Sequence, residues 1–380
     1  MDLYTQLGLR PMINAAGTYT VLGGSRMPVE VLEAMNAAAG SFASIPEFQR
    51  RVHQRLAELT HNEAAFVVTG CAAGLYLSAA TAAVQRLGLR PSELTPSRMA
   101  EAEVVVFRSH RNPYDWAVRQ LGARLVEVGY PNEIQPVTES DFRAVFTDRT
   151  TAVLYTVSGW TAPGALPLRD VRRITLEYGV PLLVDAAAQL PPVENLWRFT
   201  REEGADAVIF SGGKDLRGPQ ASGLIVGRQG FVDLLAEVAF PAYGIGRMLK
   251  VGREEMAGLL SAVERYVSLD HAARKQWCEE QVELARRGLA SLPGVTVERS
   301  YPNEAGQPLP RALVRWMGRP EMAKRVQEKL LAGDPTIAAH IDEKDGLFLN
   351  PMTLEEGEMS LIVDRVKAIL ADLAVDARRS

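Results

Sequence analysis

The chain has 380 residues, 42 of them Lys or Arg and 46 Asp or Glu, for a formal charge of 42 − 46 = −4. With 23% charged and 47% hydrophobic residues it can bury a large core, most readily in two domains, and it has no basic surplus or polybasic run pointing to nucleic acid or a membrane surface. Its two cysteines, Cys71 and Cys278, are too few for a disulfide framework, which fits a reducing cytoplasm.

The first residues, Met1-Asp-Leu-Tyr-Thr-Gln, lack the basic and apolar regions of a signal peptide. Residues 1–60 read as an N-terminal arm, with a glycine turn at Leu22-Gly23-Gly24 and a helix over Pro28–Ala38. The stretch Ala64 to Gln85 carries no charge and is long enough to span a bilayer. Thr69-Gly70-Cys71-Ala72-Ala73-Gly74 interrupts it with small residues and no cation anchors its start, which favours a buried strand turning into a helix.

Across residues 61–250 apolar runs alternate with helical patterns such as Leu168–Tyr178. The runs predict strands at Ala65–Val68, Val104–Phe107, Arg124–Val128, Ala152–Thr156, Leu182–Val184, Ala207–Phe210 and Leu224–Val226. Such alternation implies βαβ units and a mostly parallel sheet, the α/β class. Residues 251–380 read as a smaller α+β domain. There a long helical pattern from Arg253 to Leu292 stops at Pro293-Gly294, and strands follow at Val295–Arg299 and Ala312–Trp316. Helices are expected near Met322–Leu331 and Glu358–Leu373.

Two strand ends carry chemistry. The run Ala207–Phe210 breaks at Ser211-Gly212-Gly213 and delivers Lys214, and the run Val180–Val184 ends on Asp185. Open α/β sheets bind ligands at such ends. A Walker phosphate loop does not fit, since Val208 stands where its first glycine belongs and Asp215 where its Ser/Thr belongs. Taken alone, Lys214 also reads as a turn lysine on the surface, and Asp185 as a helix cap. The five histidines, His53, His61, His110, His271 and His340, have no metal-ligand spacing, so no metal is expected.

Together the amine and the carboxylate match the needs of pyridoxal 5'-phosphate. The amine holds its aldehyde as a Schiff base, and the carboxylate keeps its ring nitrogen protonated. The small-residue turn at Gly70–Gly74 offers backbone N–H groups and a positive helix end to the phosphate. Cys71, with no histidine near it in sequence, reads as a packing residue rather than a nucleophile. The segment Tyr243–Arg253 gathers Arg247, Lys250 and Arg253 among glycines, either to hold an anion or as a solvated basic loop.

Several runs follow one another in the order of a known family and cover most of the chain. They are Ile13-Asn14-Ala15-Ala16-Gly17-Thr18, Gly70–Gly74, Val128-Gly129-Tyr130-Pro131-Asn132, Val184–Ala188, Ser211–Lys214 with Gly218-Pro219, and Gly244–Arg247 with Lys250-Val251-Gly252. The chain resembles the selenocysteine synthase-like group of fold-type I pyridoxal phosphate enzymes, along the branch that includes D-glucosaminate-6-phosphate ammonia-lyase. The resemblance implies the fold-type I transferase fold, with Lys214 as Schiff-base lysine and Asp185 as partner of the ring nitrogen. It also implies that Cys71, Ala72, Ala73 and Ser211 serve the phosphate and that His110 lies near the ring. Asn14, Gly17 and Thr18 would meet the substrate, and Arg247 and Lys250 would approach from a neighbouring subunit, which requires at least a homodimer.

The activity so implied is α,β-elimination on a β-substituted or hydroxylated amino acid, or an amino sugar acid, with release of ammonia and a 2-oxo acid. Racemisation or epimerisation, β-replacement, and a non-catalytic cofactor-binding role are the alternatives. One departure bears on the substrate. After Ala152–Thr156 the ammonia-lyase branch has a histidine-containing segment, whereas this chain reads Val157-Ser158-Gly159-Trp160-Thr161-Ala162-Pro163-Gly164. Selenium transfer is not expected, because the sequence has neither a basic surplus nor an additional N-terminal domain for tRNA.

Overall fold

A computed structural model describes residues 3–130, 134–342 and 346–379; Pro131 and Asn132 of the motif after Val128 lie outside them. The chain forms two compact units, one of Met27–Leu269 and one joining Met1–Arg26 to Asp270–Ser380. The first strand, β1 (Met12–Ala15), belongs to the smaller unit.

The larger unit holds β2 (Ala64–Val68), β3 (Glu103–Phe107), β4 (Arg124–Val128), β5 (Thr150–Thr156), β6 (Leu182–Asp185), β7 (Ala207–Ser211) and β8 (Gly223–Gly227). They make one sheet in the order β2-β8-β7-β6-β5-β3-β4. The strands from β7 to β4 are mutually parallel, and β8 runs antiparallel to both of its neighbours. The central strands are apolar without alternation because both faces are covered. Val105, Phe107, Val153, Val184, Val208 and Phe210 enter one core, while Val104, Leu154, Leu183 and Ile209 enter the other.

The uncharged stretch from Ala64 is β2, a break at Gly70, and a helix over Cys71–Leu87 that is buried from Ala73 to Val84. Burial on the sheet accounts for its neutral composition. Among the described residues no helix is long and apolar enough to cross a membrane.

In the smaller unit β9 (Val295–Ser300), β10 (Arg311–Trp316), β11 (Thr336–Asp342) and β12 (Gly346–Leu349) form a sheet in the order β1-β11-β12-β10-β9. Parallel pairing of β1 with β11 draws the first residues of the chain into this unit. The helices Val29–Ala39, Ile45–Leu59 and Arg253–Ser268 belong instead to the larger one, so the unit limits fall elsewhere than at 60 and 250. Arg253 explains part of that placement, since its guanidinium donates to the last carbonyls of the first helix, Ala38 O at 2.7 Å and Ala39 O at 3.1 Å. The helical pattern from Arg253 to Leu292 is two helices, broken at Leu269-Asp270. The Asp270 carboxylate accepts from Ala273 N at 2.8 Å and starts the second helix, His271–Leu289, at the change of unit.

Candidate functional site

The chemistry gathers where the parallel strands end. Thr156 and Asp185 are register partners at the ends of β5 and β6, and Ser211 closes β7 beside them. The backbone beyond each strand bonds its neighbour: Val157 N donates to Asp185 O at 2.9 Å, Ala186 N to Ile209 O at 3.0 Å, and Ser211 N to Ala187 O at 3.3 Å. His110, one turn past β3, is buried, and its Nδ1 accepts from Thr156 N at 3.3 Å. Asn112 ties the same corner together by donating to His110 O at 2.9 Å.

Burial pushes the Asp185 carboxyl above the usual carboxylate range, opposed by the Ala187 N–H at 3.1 Å and by the charge of Lys214. Burial likewise lowers the His110 imidazole to about 4, so this ring is neutral near pH 7.

Lys214 sits on a turn with little freedom. Gly212 N donates to Ser222 O at 2.9 Å, Gly218 N to Gly212 O at 2.8 Å, and Arg217 N to Lys214 O at 3.0 Å. A Cβ on Gly213 would stand 2.6 Å from Gln220 Cα, so glycine is required for the two backbones to approach. Behind the lysine, buried Asp215 accepts from the Tyr266 hydroxyl at 2.8 Å. This anchor was not foreseen, because only the fold brings Tyr266 to Asp215.

The third component is the start of the helix Cys71–Leu87. Gly70 has φ +87°, and a Cβ on Gly74 would lie 2.7 Å from Ile209 Cγ2 of β7. The glycine lets the helix press its N-terminal end against the strand that leads to Lys214. Burial raises the Cys71 thiol well above its ordinary value; the Asp185 charge raises it further and the Lys214 charge lowers it. Lys214, Asp185 and Cys71 thus share one electrostatic neighbourhood, with Ala72 and Ala73 on the same helical turn. One aromatic joins them unannounced by any motif, since the Lys214 Nζ lies 5.9 Å from the centroid of the Trp160 ring.

The remaining candidates are carried by other segments. The Arg247 guanidinium rests on the rings of Phe240 and Tyr243, at 5.2 and 5.8 Å. Gly246 packs on Leu77 and Gly244 lies beside Pro91, past the far end of the helix Cys71–Leu87. Within one chain this segment lies along the flank of that helix, and Lys250 is exposed upon it. Asn14, Gly17 and Thr18 are in the smaller unit. Asn14 is folded on its own turn, donating to Gly17 O at 2.8 Å and accepting from Ala16 N at 3.0 Å. Gly17, at φ +118°, faces Glu304 and Asn350, and Thr18 beside it is half-buried. Glu304 in turn pairs with the buried Arg311 at 3.0 Å.

A cofactor fits the larger unit on its own terms. A buried carboxyl whose burial disfavours its charge would be relieved by a protonated ring nitrogen. The amine of Lys214 and a glycine-opened helix start complete a set for an aldehyde and a phosphate. Among the described residues no group of three or more His, Cys, Asp or Glu could hold a metal ion.

Comparison with known proteins gives the family. The family model described as SelA, L-seryl-tRNA selenium transferase, matches residues 12–278. D-glucosaminate-6-phosphate ammonia lyase of Salmonella typhimurium (strain 14028s / SGSC 2262) is 32% identical, over 99% of both chains. A 5'-C-glycyluridine monooxygenase-decarboxylase of a Streptomyces species is also 32% identical, over 97% of this chain and 92% of its own. The solved structure of a D-glucosaminate-6-phosphate ammonia-lyase superposes with a TM-score of 0.83 at 29% identity, covering 98% of this chain and 99% of that one. The chain has the fold of the type I pyridoxal phosphate enzymes and belongs to the SelA family.

Proposed function

We propose that the chain is a pyridoxal phosphate-dependent lyase that removes a β-substituent from an α-amino acid and releases ammonia and a 2-oxo acid. The observation that carries this reading is the shared neighbourhood of Lys214, Asp185 and Cys71 at the strand ends. The ammonia-lyase likeness over the whole chain supports it.

Lys214 would hold the cofactor's aldehyde and Asp185 its ring nitrogen. The helix start at Cys71, Ala72 and Ala73, with Ser211, would take the phosphate, and neutral His110 would lie beside the ring. When bound, the cofactor supplies an electron sink that makes the substrate's α-hydrogen acidic. The free amine of Lys214 would accept that proton. Asp185, whose charge burial disfavours, would sit opposite the ring nitrogen.

The substrate class is a β-substituted or hydroxylated amino acid, amino sugar acids included. Its anionic group would be met by Arg247 or Lys250 of a second copy. The working unit would be a homodimer or a larger homo-oligomer, and two cysteines that form no disulfide suit a reducing cytoplasm.

Purified protein loaded with pyridoxal phosphate should release ammonia and a 2-oxo acid in equal amounts from members of a panel of D- and L-amino acids. Lys214→Ala should lose both this turnover and the visible absorbance of the bound cofactor. A variant that keeps both refutes the assignment. Exchange of the α-hydrogen with deuterated solvent and no product would identify a racemase instead.

A further inference from the structure

Trp160 lies in the segment between β5 and the helix Leu168–Tyr178, and it is 53% exposed although tryptophan is usually well buried. Its ring centre is 5.9 Å from the Lys214 Nζ, within reach of cation–π attraction. The segment is pinned at both ends. Val157 N donates to Asp185 O at 2.9 Å, Ala162 N to Ser109 O at 3.1 Å, and Val137 N to Gly164 O at 2.8 Å. Between these anchors Trp160 N donates to Ser158 Oγ at 3.2 Å, and the Thr161 hydroxyl donates to Ser158 O at 2.8 Å. The ring is thus carried by a turn hung from Asp185 itself and from the residue before His110.

What the turn offers a ligand is one-sided. Its two hydroxyls are engaged within the turn, and Val157–Gly164 contains no charged side chain. A phosphorylated chain placed here would lose water and meet no charge in the turn, and a polyhydroxylated one would find only the remaining capacity of two hydroxyls already bonded within it. An apolar or aromatic group would instead gain the face of the indole.

We propose that Trp160 is the specificity-determining residue of the site, and that it receives an aromatic or branched aliphatic group on the β-carbon of a β-hydroxy-α-amino acid. This rests on the lyase reading above. In the reaction the Cα–H and Cβ–O bonds break and water departs, and an equal water is consumed in hydrolysing the C–N bond. R–CHOH–CH(NH3+)–COO− thereby becomes R–CH2–CO–COO− and ammonium, with no oxidant or reductant.

The test titrates the cofactor-loaded protein with phenylserine and, separately, with serine. The change in the cofactor's visible absorbance reports capture of the amino acid, and ammonia release is measured in parallel. The unaltered protein should hold phenylserine at least about tenfold more tightly than serine. Trp160→Ala should erase that preference, weakening phenylserine about tenfold while moving serine by no more than about twofold, and Trp160→Phe should keep most of it. Equal changes for both amino acids, no change for either, or loss of the resting absorbance in both variants would overturn the proposal. Absorbance changes that keep this pattern without ammonia release would refute the lyase reading and leave the role of Trp160 standing.

Discussion

The strand ends carrying Asp185, Ser211 and Lys214 and the turn carrying Trp160 meet at one amine but are built in opposite ways. At the strand ends Asp185 is buried, Ser211 and Lys214 are half-buried, and the turn at Gly212-Gly213 is closed by backbone contacts, so a change there moves the lysine. In the Trp160 turn the backbone is pinned while the side chain stands half in solvent. In the proposed reading the first region would hold the cofactor, and the second could change its side chain without harm to the fold. Relatives whose names denote an ammonia lyase and a monooxygenase-decarboxylase, each 32% identical to this chain, fit such a division.

If the division is real, the largest effect belongs to Gly213→Ala. The added methyl would stand 2.6 Å from Gln220 Cα, and a backbone atom cannot rotate away. A cost of about 1–3 kcal/mol is expected, with loss of cofactor absorbance because Lys214 is displaced. Denaturant unfolding and a cofactor titration check both effects. A stable Gly213→Ala protein with normal cofactor binding would show that the lysine turn is as tolerant as the Trp160 turn.

Tyr266→Phe comes next. It leaves the carboxylate of Asp215 buried without the hydroxyl that donates to it at 2.8 Å, which costs about 1.5–3 kcal/mol. The denaturant midpoint should fall, and kcat should fall more than KM rises, since the neighbouring residue is Lys214. An unchanged midpoint would break the claim that the lysine is anchored from behind.

Acid tests the buried side as a whole. Burial lowers His110 to about 4 and His53 to about 3, against an unfolded value near 6.5. Below pH 6.5 the unfolded chain therefore binds more protons than the folded one. The stability these two histidines allow is fully present above pH 6.5 and is lost as pH falls, toward 4 for His110 and toward 3 for His53, by about 1.4 kcal/mol per pH unit for each. Asp185, whose folded value is raised, acts in the opposite sense as its own range is reached. His53 accepts from Val67 N at 3.1 Å on the edge strand, so the larger unit should loosen first. Unfolding followed at several pH values should give this slope, and His53→Gln should remove its share.

The same contrast governs how much the sequence reveals. The seven strands of the larger sheet were all legible, six of them because burial leaves mostly apolar runs, whereas the edge strand β4 mixes Arg124 and Glu127 with Leu125, Val126 and Val128. Lys214 and Asp185 were legible because each is a lone polar residue ending such a run. In the smaller unit β1, β11 and β12 gave no signal: β12 is four residues long, and Thr336–Asp342 mixes alanines with His340 and Asp342. The Asp270 break was hidden inside a continuous helical pattern. Tyr266 behind Lys214 and Trp160 in front of it are joined to it only by folding, and no spacing announces either one.

The smallest expected effect separates the two regions most sharply. Ser158→Ala removes the Oγ that accepts from Trp160 N at 3.2 Å, in a half-exposed turn whose backbone anchors to Asp185, Ser109 and Val137 remain. Replacing such an acceptor in contact with water should cost no more than about 0.5 kcal/mol, because water takes its place. The indole nevertheless loses the bond that sets its height above Lys214, so the preference for phenylserine over serine should fall by about threefold with the unfolding midpoint unchanged. A midpoint that drops as far as it does in Tyr266→Phe would mean that the Trp160 turn belongs to the rigid part of the site. Selectivity would then be inseparable from the fold, and the division between the two regions would be lost.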